Sequence, residues 1–544
     1  MRCLAAAFLT TALAVTASCD SSDAQSPTMP SGTVQAPVRG GTFRMVLEAP
    51  VALDPATVDS VYDALPVHQI FDGIVALDPG LNVVPALADT WTISRDSRLY
   101  TFHLRTGVRF HDGSPLTSDD VVFSIKRLLD PKLGKKKSIG ASYLQVVDGA
   151  PAYASGKAPE LVGLQALDPQ TLQISLSHPY LSFLEVLAMD DLRIVPRGVV
   201  TRMGEAAFRR SPVGTGPFKF GSWTKMSLTL VANTDYWGGA PYLDGVVINF
   251  PDVKLRDNGN AKFLAGETEI VEPSSDNVAS LLQDPTVEMH RYQDLSLSFM
   301  GLNTGARGLQ DERVRRAIAM AVDRKALADL APSNRREAQG ILPPGLPGYS
   351  ATPKAMAFDP EGARKLLAEA GYPGGRGLPP IEFYTAQAAA TANTKTNELL
   401  KSNLADVGVK LVIHETTWSE LITHIEDNAA PSFQLGWVAD LPDPDAFLRT
   451  LFEPGGSANY FSFLDRPTAA ALERGASEIN PMERTKIYRE LERSILEKAP
   501  LVPLFHSVGM IASRKTVHGF KPGPLGVGSL DLEHVWLTPA GSKG

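Results

Sequence analysis

Between Asp311 and Leu448 the chain alternates helices with strands, each with its own start and stop signals. That alternation restricts the region to an α/β architecture with a mixed sheet. Asp311 caps a helix that carries Val314, Ile318 and Ala321 on one face. Asp359-Pro360 opens a second, with Ala363, Leu366, Leu367 and Ala370 on its apolar side and Gly371 as its C′ residue. Leu399, Leu400, Leu404 and Val407 mark a third, ending at Gly408. Val409 to Ile413 and Ser432 to Val438 read as strands.

The first half is richer in short strands. Gly41 to Leu47 reads as one, and Trp91 to Ile93 with Leu99 to Leu104 as a hairpin whose Tyr100, Phe102 and Leu104 share a face. Thr117 and Asp120 form a near capping box ahead of a stripe of Val121, Val122, Ile125, Leu128 and Leu129. Further strands are expected at Phe218 to Phe220, Leu228 to Val231 and Val246 to Phe250. Arg484 to Leu496 is a last long helix, and Leu501 to His506 a strand returning to the first half. At 544 residues the chain needs more than one domain, because single cores stop growing near ~250–300 residues.

The N-terminus reads as a targeting segment. Arg2 precedes an apolar run, Leu4 to Val15, that is too short to span a membrane, and small residues lead to Cys19. The run resembles a bacterial lipoprotein signal, which implies cleavage before Cys19 and its acylation; secretory cleavage after Ala17 is the alternative. Residues up to about 39, rich in Ser, Pro, Thr and Gln, read as a flexible tether. The two cysteines, Cys3 and Cys19, both lie in this segment, so the body has neither disulfide nor cysteine chemistry. The net charge of −8 is spread along the chain, which argues against nucleic-acid binding. The longest basic run, Lys135 to Lys137, reads as a solvated loop.

Three carboxylates follow the Ser432 to Val438 strand. Asp443 and Asp445 have helix duties: Asp443 as N-cap before Pro444, and Asp445 at the positive end of the helix dipole. Asp440 has no such duty. It lies just past a buried strand, where open α/β sheets place ligands. Spacing alone leaves it either a solvated loop acid or a negative charge facing a cleft. Trp91, Trp223, Trp237, Trp418 and Trp437 read mainly as core anchors, with one or two available to line a cleft.

Catalytic patterns are missing. Gly214-Thr215-Gly216 is followed by Pro217 and a strand, so no helix N-terminus points at a phosphate; it reads as a turn. His103 and His111 lie on different strands without the spacing of a metal site. No Gly-x-Ser-x-Gly elbow is present. No metal, cofactor or enzymatic activity is expected, and a secreted hydrolase finds no support.

Six segments nevertheless resemble one family, in order. They are Val84 to Trp91, Thr101 to Gly113, Pro212 to Phe218, Asn233 to Trp237, Arg313 to Ile318 and Asp359 to Glu361. The sequence resembles the family 5 extracellular solute-binding proteins of ABC importers, which include oligopeptide- and dipeptide-binding proteins. The resemblance implies a two-lobed periplasmic-binding-protein fold with mixed sheets that closes like a hinge. It places lobe one at residues 40–273 and 501–544, with a subdomain inserted at 81–196, and lobe two at 274–500. It implies a monomer outside the cytoplasmic membrane, anchored through Cys19, that delivers a short peptide to a permease. A nickel complex, haem, glutathione or a sugar-containing compound is the alternative solute. In the peptide-binding branches the acid similar to Asp440 pairs with the peptide's α-amino group, and Trp437 and Trp418 are implied as cleft walls. The dipeptide branch also places an arginine after the strand similar to Ile381–Tyr384; Thr385 to Thr394 has none, which disfavours a strict dipeptide.

Overall fold

The computed structural model describes residues 36–539, apart from 59, 134–138, 252–257, 275, 352–356, 388–390 and 457. The leader, Cys19, most of the tether and the Lys135 to Lys137 run lie outside the described residues.

Two four-stranded sheets and one eight-stranded sheet carry the body. In the first, Thr42–Val46 runs parallel to Gly245–Asn249, which pairs in turn with Ser227–Ala232 and Phe218–Trp223. The second is built from Ala88–Ile93, Leu99–Leu104, Thr171–Ser175 and Leu164–Asp168. Its hairpin follows the alternation in the sequence: Tyr100, Phe102 and Leu104 are buried while His103 is exposed. Thr117 makes the expected capping box with Asp120.

The eight-stranded sheet has two features that the residue pattern did not announce. Ser296–Leu302, buried at all seven positions, lies between Ser432–Val438 and the long strand Leu501–Arg514. A strand buried on both faces has no alternation to read. The expected strand at Leu501 to His506 runs on to Arg514, and its second half pairs with Val287–Gln293 and Ile270–Val271. On the far side Ile381–Ala386 runs parallel to both Leu411–Thr416 and Ser432–Val438. Asp359 accepts from Gly362 N–H at the start of Pro360–Glu369, as the sequence implies.

One apolar cluster joins Phe102, Phe183 and Leu187 of the first half to Phe447, Leu451 and Phe461 of the second half. This shared packing presses the two halves together around the segment after Val438.

Candidate functional site

Asp440 sits two residues past the last bridged pair of the central strands, Ser296 with Val438. The pairing persists for one more bond, Ala439 N–H to the Leu295 carbonyl at 2.8 Å, and then the chain turns away. Asp440 Oδ2 is buried and has no hydrogen-bond partner among the described residues. Burial, and then the fields of Asp191 and Asp190, push its carboxyl up to about 8. Asp190 is itself paired with Arg193 at 2.6 Å, and His68 Nδ1 lies 2.9 Å from it. Among the described residues Asp440 has no such cation. A buried carboxylate left bare is costly unless something cationic arrives.

Trp437 is half-buried, and its indole N–H donates to the Ala446 carbonyl at 2.8 Å, pinning strand to helix. Trp418 opens the helix Trp418–Glu426 and is 57% exposed. It borders a pocket of about 170 Å³ with Thr385, Gln387, Asn397, Gln434 and Gly436. Neither Asp440 nor Trp437 lines that pocket.

The neighbouring acids do more than cap. The helix Asp445–Phe452 takes Pro444 rather than the expected Asp443 as its N-cap, although Asp443 Oδ1 accepts from Asp445 N–H at 2.9 Å. The Asp443 carboxylate is also gripped by Arg484 Nη1 at 2.7 Å and Nη2 at 2.9 Å, and it accepts from Ser182 Oγ at 2.5 Å. Asp445 is not a solvated helix-end charge but fully buried; it accepts from Tyr488 at 2.6 Å and Tyr180 at 3.1 Å, with Arg449 at 3.3 Å. Tyr143 bonds Thr450 at 2.8 Å on the same helix. Ser182, Tyr180 and Tyr143 belong to the first half, so the network bridges the two halves. The sequence showed only an acid before a proline, because the partners lie as far as 265 residues away.

Several of the family-like segments are scaffolding. Asp72 accepts from Thr215 at 2.8 Å, Tyr236 at 3.0 Å and Trp237 at 2.9 Å. His111 accepts from Gly214 N–H at Nδ1 and donates from Nε2 to the Gly216 carbonyl at 3.0 Å, which fixes its neutral tautomer. Burial lowers it to about 4. A Cβ on Gly214 would stand 2.0 Å from the Ile70 carbonyl oxygen, so the Gly-Thr-Gly loop needs glycine for close packing. The loop is thus a packing element bonded to Ile70 and His111, with no hydrogen-bonded turn among its own residues.

A second acid pair escaped the sequence. Desolvation and the neighbouring Asp294 raise Glu272 to about 7 although its side chain still reaches solvent, and desolvation raises the half-buried Asp294 to about 6. Both adjoin strands of the eight-stranded sheet where it passes between the halves. Nothing in the local sequence distinguishes these acids from surface ones.

Comparison with known proteins agrees with this architecture. Residues 82–459 match the model of the bacterial extracellular solute-binding proteins, family 5. The chain is 30% identical over 550 residues to heme-binding protein A of Haemophilus influenzae, covering 97% of this chain and 98% of that protein. It is 30% identical over 503 residues to di/tripeptide-binding protein 2 of Pseudomonas aeruginosa, covering 88% and 91%. The structure of the periplasmic binding protein DppA from Helicobacter pylori, in complex with the peptide STSA, superposes with a TM-score of 0.81 at 26% identity, covering 92% and 98%.

Proposed function

This chain belongs to the family 5 bacterial extracellular solute-binding proteins, and from that premise we propose that it captures short peptides by their free amino end. Capture takes place outside the cytoplasmic membrane and ends in delivery to an ABC permease. The protein acts by binding, without catalysis, as a monomer tethered through an acylated Cys19. Among the described residues no helix is long and apolar enough to cross a membrane. Lobe one comprises residues 40–273 and 501–544, with 81–196 inserted, and lobe two residues 274–500. The eight-stranded sheet crosses this division, because Leu501–Arg514 pairs with Ser296–Leu302 of lobe two as well as with Ile270–Val271 of lobe one.

Asp440 carries the reading. Its buried, partnerless Oδ2 lies in the field of two further acids, and a peptide ammonium supplies the missing cation and three donors. Trp437 and Trp418 flank the bound chain. A haem is the second reading, favoured by the relative named for it. A propionate gains no ion pair at Asp440, which ranks haem below the peptide. Native mass spectrometry of the purified protein decides between them. A ladder of short peptides supports the first reading; a single co-purifying metabolite overturns it.

The raised carboxyl has a consequence for pH. Free Asp440 is mostly protonated at pH 6 and ionised above about 8. An ammonium binds only the ionised form, so affinity for a free-amine tripeptide should climb between pH 6 and 8, by up to about tenfold per unit. Calorimetry at pH 7 in buffers of different ionisation enthalpy should report release of close to one proton. Affinity that stays flat over this range would count against Asp440 as the ammonium site.

Stability of the unliganded protein should move the other way. A folded-state value raised from 3.8 to about 8 means that the contribution of Asp440 is whole below about 4 and fades as pH rises toward 8. Asp440→Asn should therefore raise the unliganded melting temperature at pH 8 and leave it little changed near pH 4. A lower melting temperature at pH 8 would show that Asp440 has a partner when the site is empty.

A further inference from the structure

The pocket beside Trp418 has a chemistry of its own. It opens at the carboxyl ends of the parallel strands Ile381–Ala386 and Ser432–Val438, the edge where α/β sheets present their ligands. Asn397 lines it and is only 5% exposed. Its Nδ2 donates to Glu415 Oε1 at 3.3 Å, which settles the amide orientation because a carboxylate only accepts. Asn397 Oδ1, on the opposite side of the amide, is buried without a partner among the described residues. Gln434 spends one N–H on a long 3.4 Å contact to Ser298 Oγ and keeps another. No lysine, arginine or histidine lines the pocket.

We infer that this pocket is a side-chain subsite for a primary carboxamide, the side chain of a glutamine or asparagine in the bound peptide. The inference rests on the peptide reading above. An amide N–H donates to Asn397 Oδ1, its carbonyl accepts from Gln434, and its flat face packs on the Trp418 indole. A carboxylate meets two acceptors, Asn397 Oδ1 and the Glu415 behind it, with no cation to offset them. An aliphatic group leaves Asn397 Oδ1 buried and bare. An ammonium satisfies the acceptor but leaves the donors of Gln434 unused. Gly436 on the pocket wall lies four residues from Asp440, at most about 13 Å of extended chain, which is within the span of a tripeptide.

The test is calorimetric titration with Ala-Gln-Ala and Ala-Ala-Gln against the same peptides carrying Glu, Leu or Lys. At one of the two positions Gln should bind about tenfold tighter than Glu or Leu, and tighter than Lys. Asn397→Leu should erase that preference, Gln then binding no tighter than Leu at the same position, while near-ultraviolet dichroism stays unchanged. Equal affinities, tighter binding of Lys, or a preference that survives Asn397→Leu would each overturn the inference. If no tripeptide binds at all, the peptide reading fails by itself. The pocket is then judged by Trp418 fluorescence with free L-glutamine against L-glutamate. A glutamine-selective response lost in Asn397→Leu upholds the pocket chemistry; an equal response or none overturns it.

Discussion

Arg484→Leu is expected to lower stability by about 3–5 kcal/mol, because it strands the buried Asp443 carboxylate without its cation. Arg484 and Asp443 are almost wholly removed from solvent, with side-chain exposures of 6% each. Coulomb attraction and two charge-assisted hydrogen bonds offset the cost of burying both charges. Without the guanidinium, Ser182 and Asp445 N–H remain as neutral donors, and the neighbouring Asp445 adds like charge. The loss should appear as a lower calorimetric melting temperature. The double variant Arg484→Leu with Asp443→Asn should recover part of it, since the stranded charge is then gone. A fall of under about 1 kcal/mol in the single variant would show that water reaches the pair and screens it. Because the network joins Ser182 and Tyr180 to the helix after Pro444, the variant should also loosen the contact between the two halves.

Asp440→Ala is expected to weaken binding of a free-amine tripeptide by about 2–5 kcal/mol, read by calorimetry at pH 8. The substitution leaves a desolvated ammonium with no counter-charge, beside Asp190 and Asp191, which already have partners. The N-acetylated form of the same peptide has no ammonium to lose. It should bind the native protein weakly and the variant no worse. Unchanged affinity for the free-amine peptide would remove Asp440 from the site. Paired with the stabilising effect expected of Asp440→Asn when unliganded, the result would mark Asp440 as a group held at a cost to folding for the sake of binding.

Much of the fold was legible because its signals are short-range. Thr117 with Asp120, and Asp359 before Pro360, are contacts within one helical turn, and the residues that make them stand side by side in the chain. The alternation of Tyr100, Phe102 and Leu104 needs only a sheet with one buried face. Ser296–Leu302 was not legible for the complementary reason: both faces are buried, so periodicity vanishes. The three carboxylates after Val438 divide in the same way. The contact of Asp443 with Asp445 N–H spans two residues and could be read; its grip on Arg484 spans 41 and could not.

The sequence by itself determined the α/β class, the helix starts at Thr117, Asp311 and Asp359, and Asp440 as the acid without a local duty. Those follow from backbone geometry and capping, which act over a few residues. Only the tertiary structure decided which acids are paired, with Asp72 held by Tyr236 and Trp237, Asp443 by Arg484, and Asp440 Oδ2 by nothing among the described residues. It alone showed that Asn397 keeps a bare acceptor beside Trp418. A charge's partner is chosen by position in space and its cost by burial, and both arise only once distant segments have packed together.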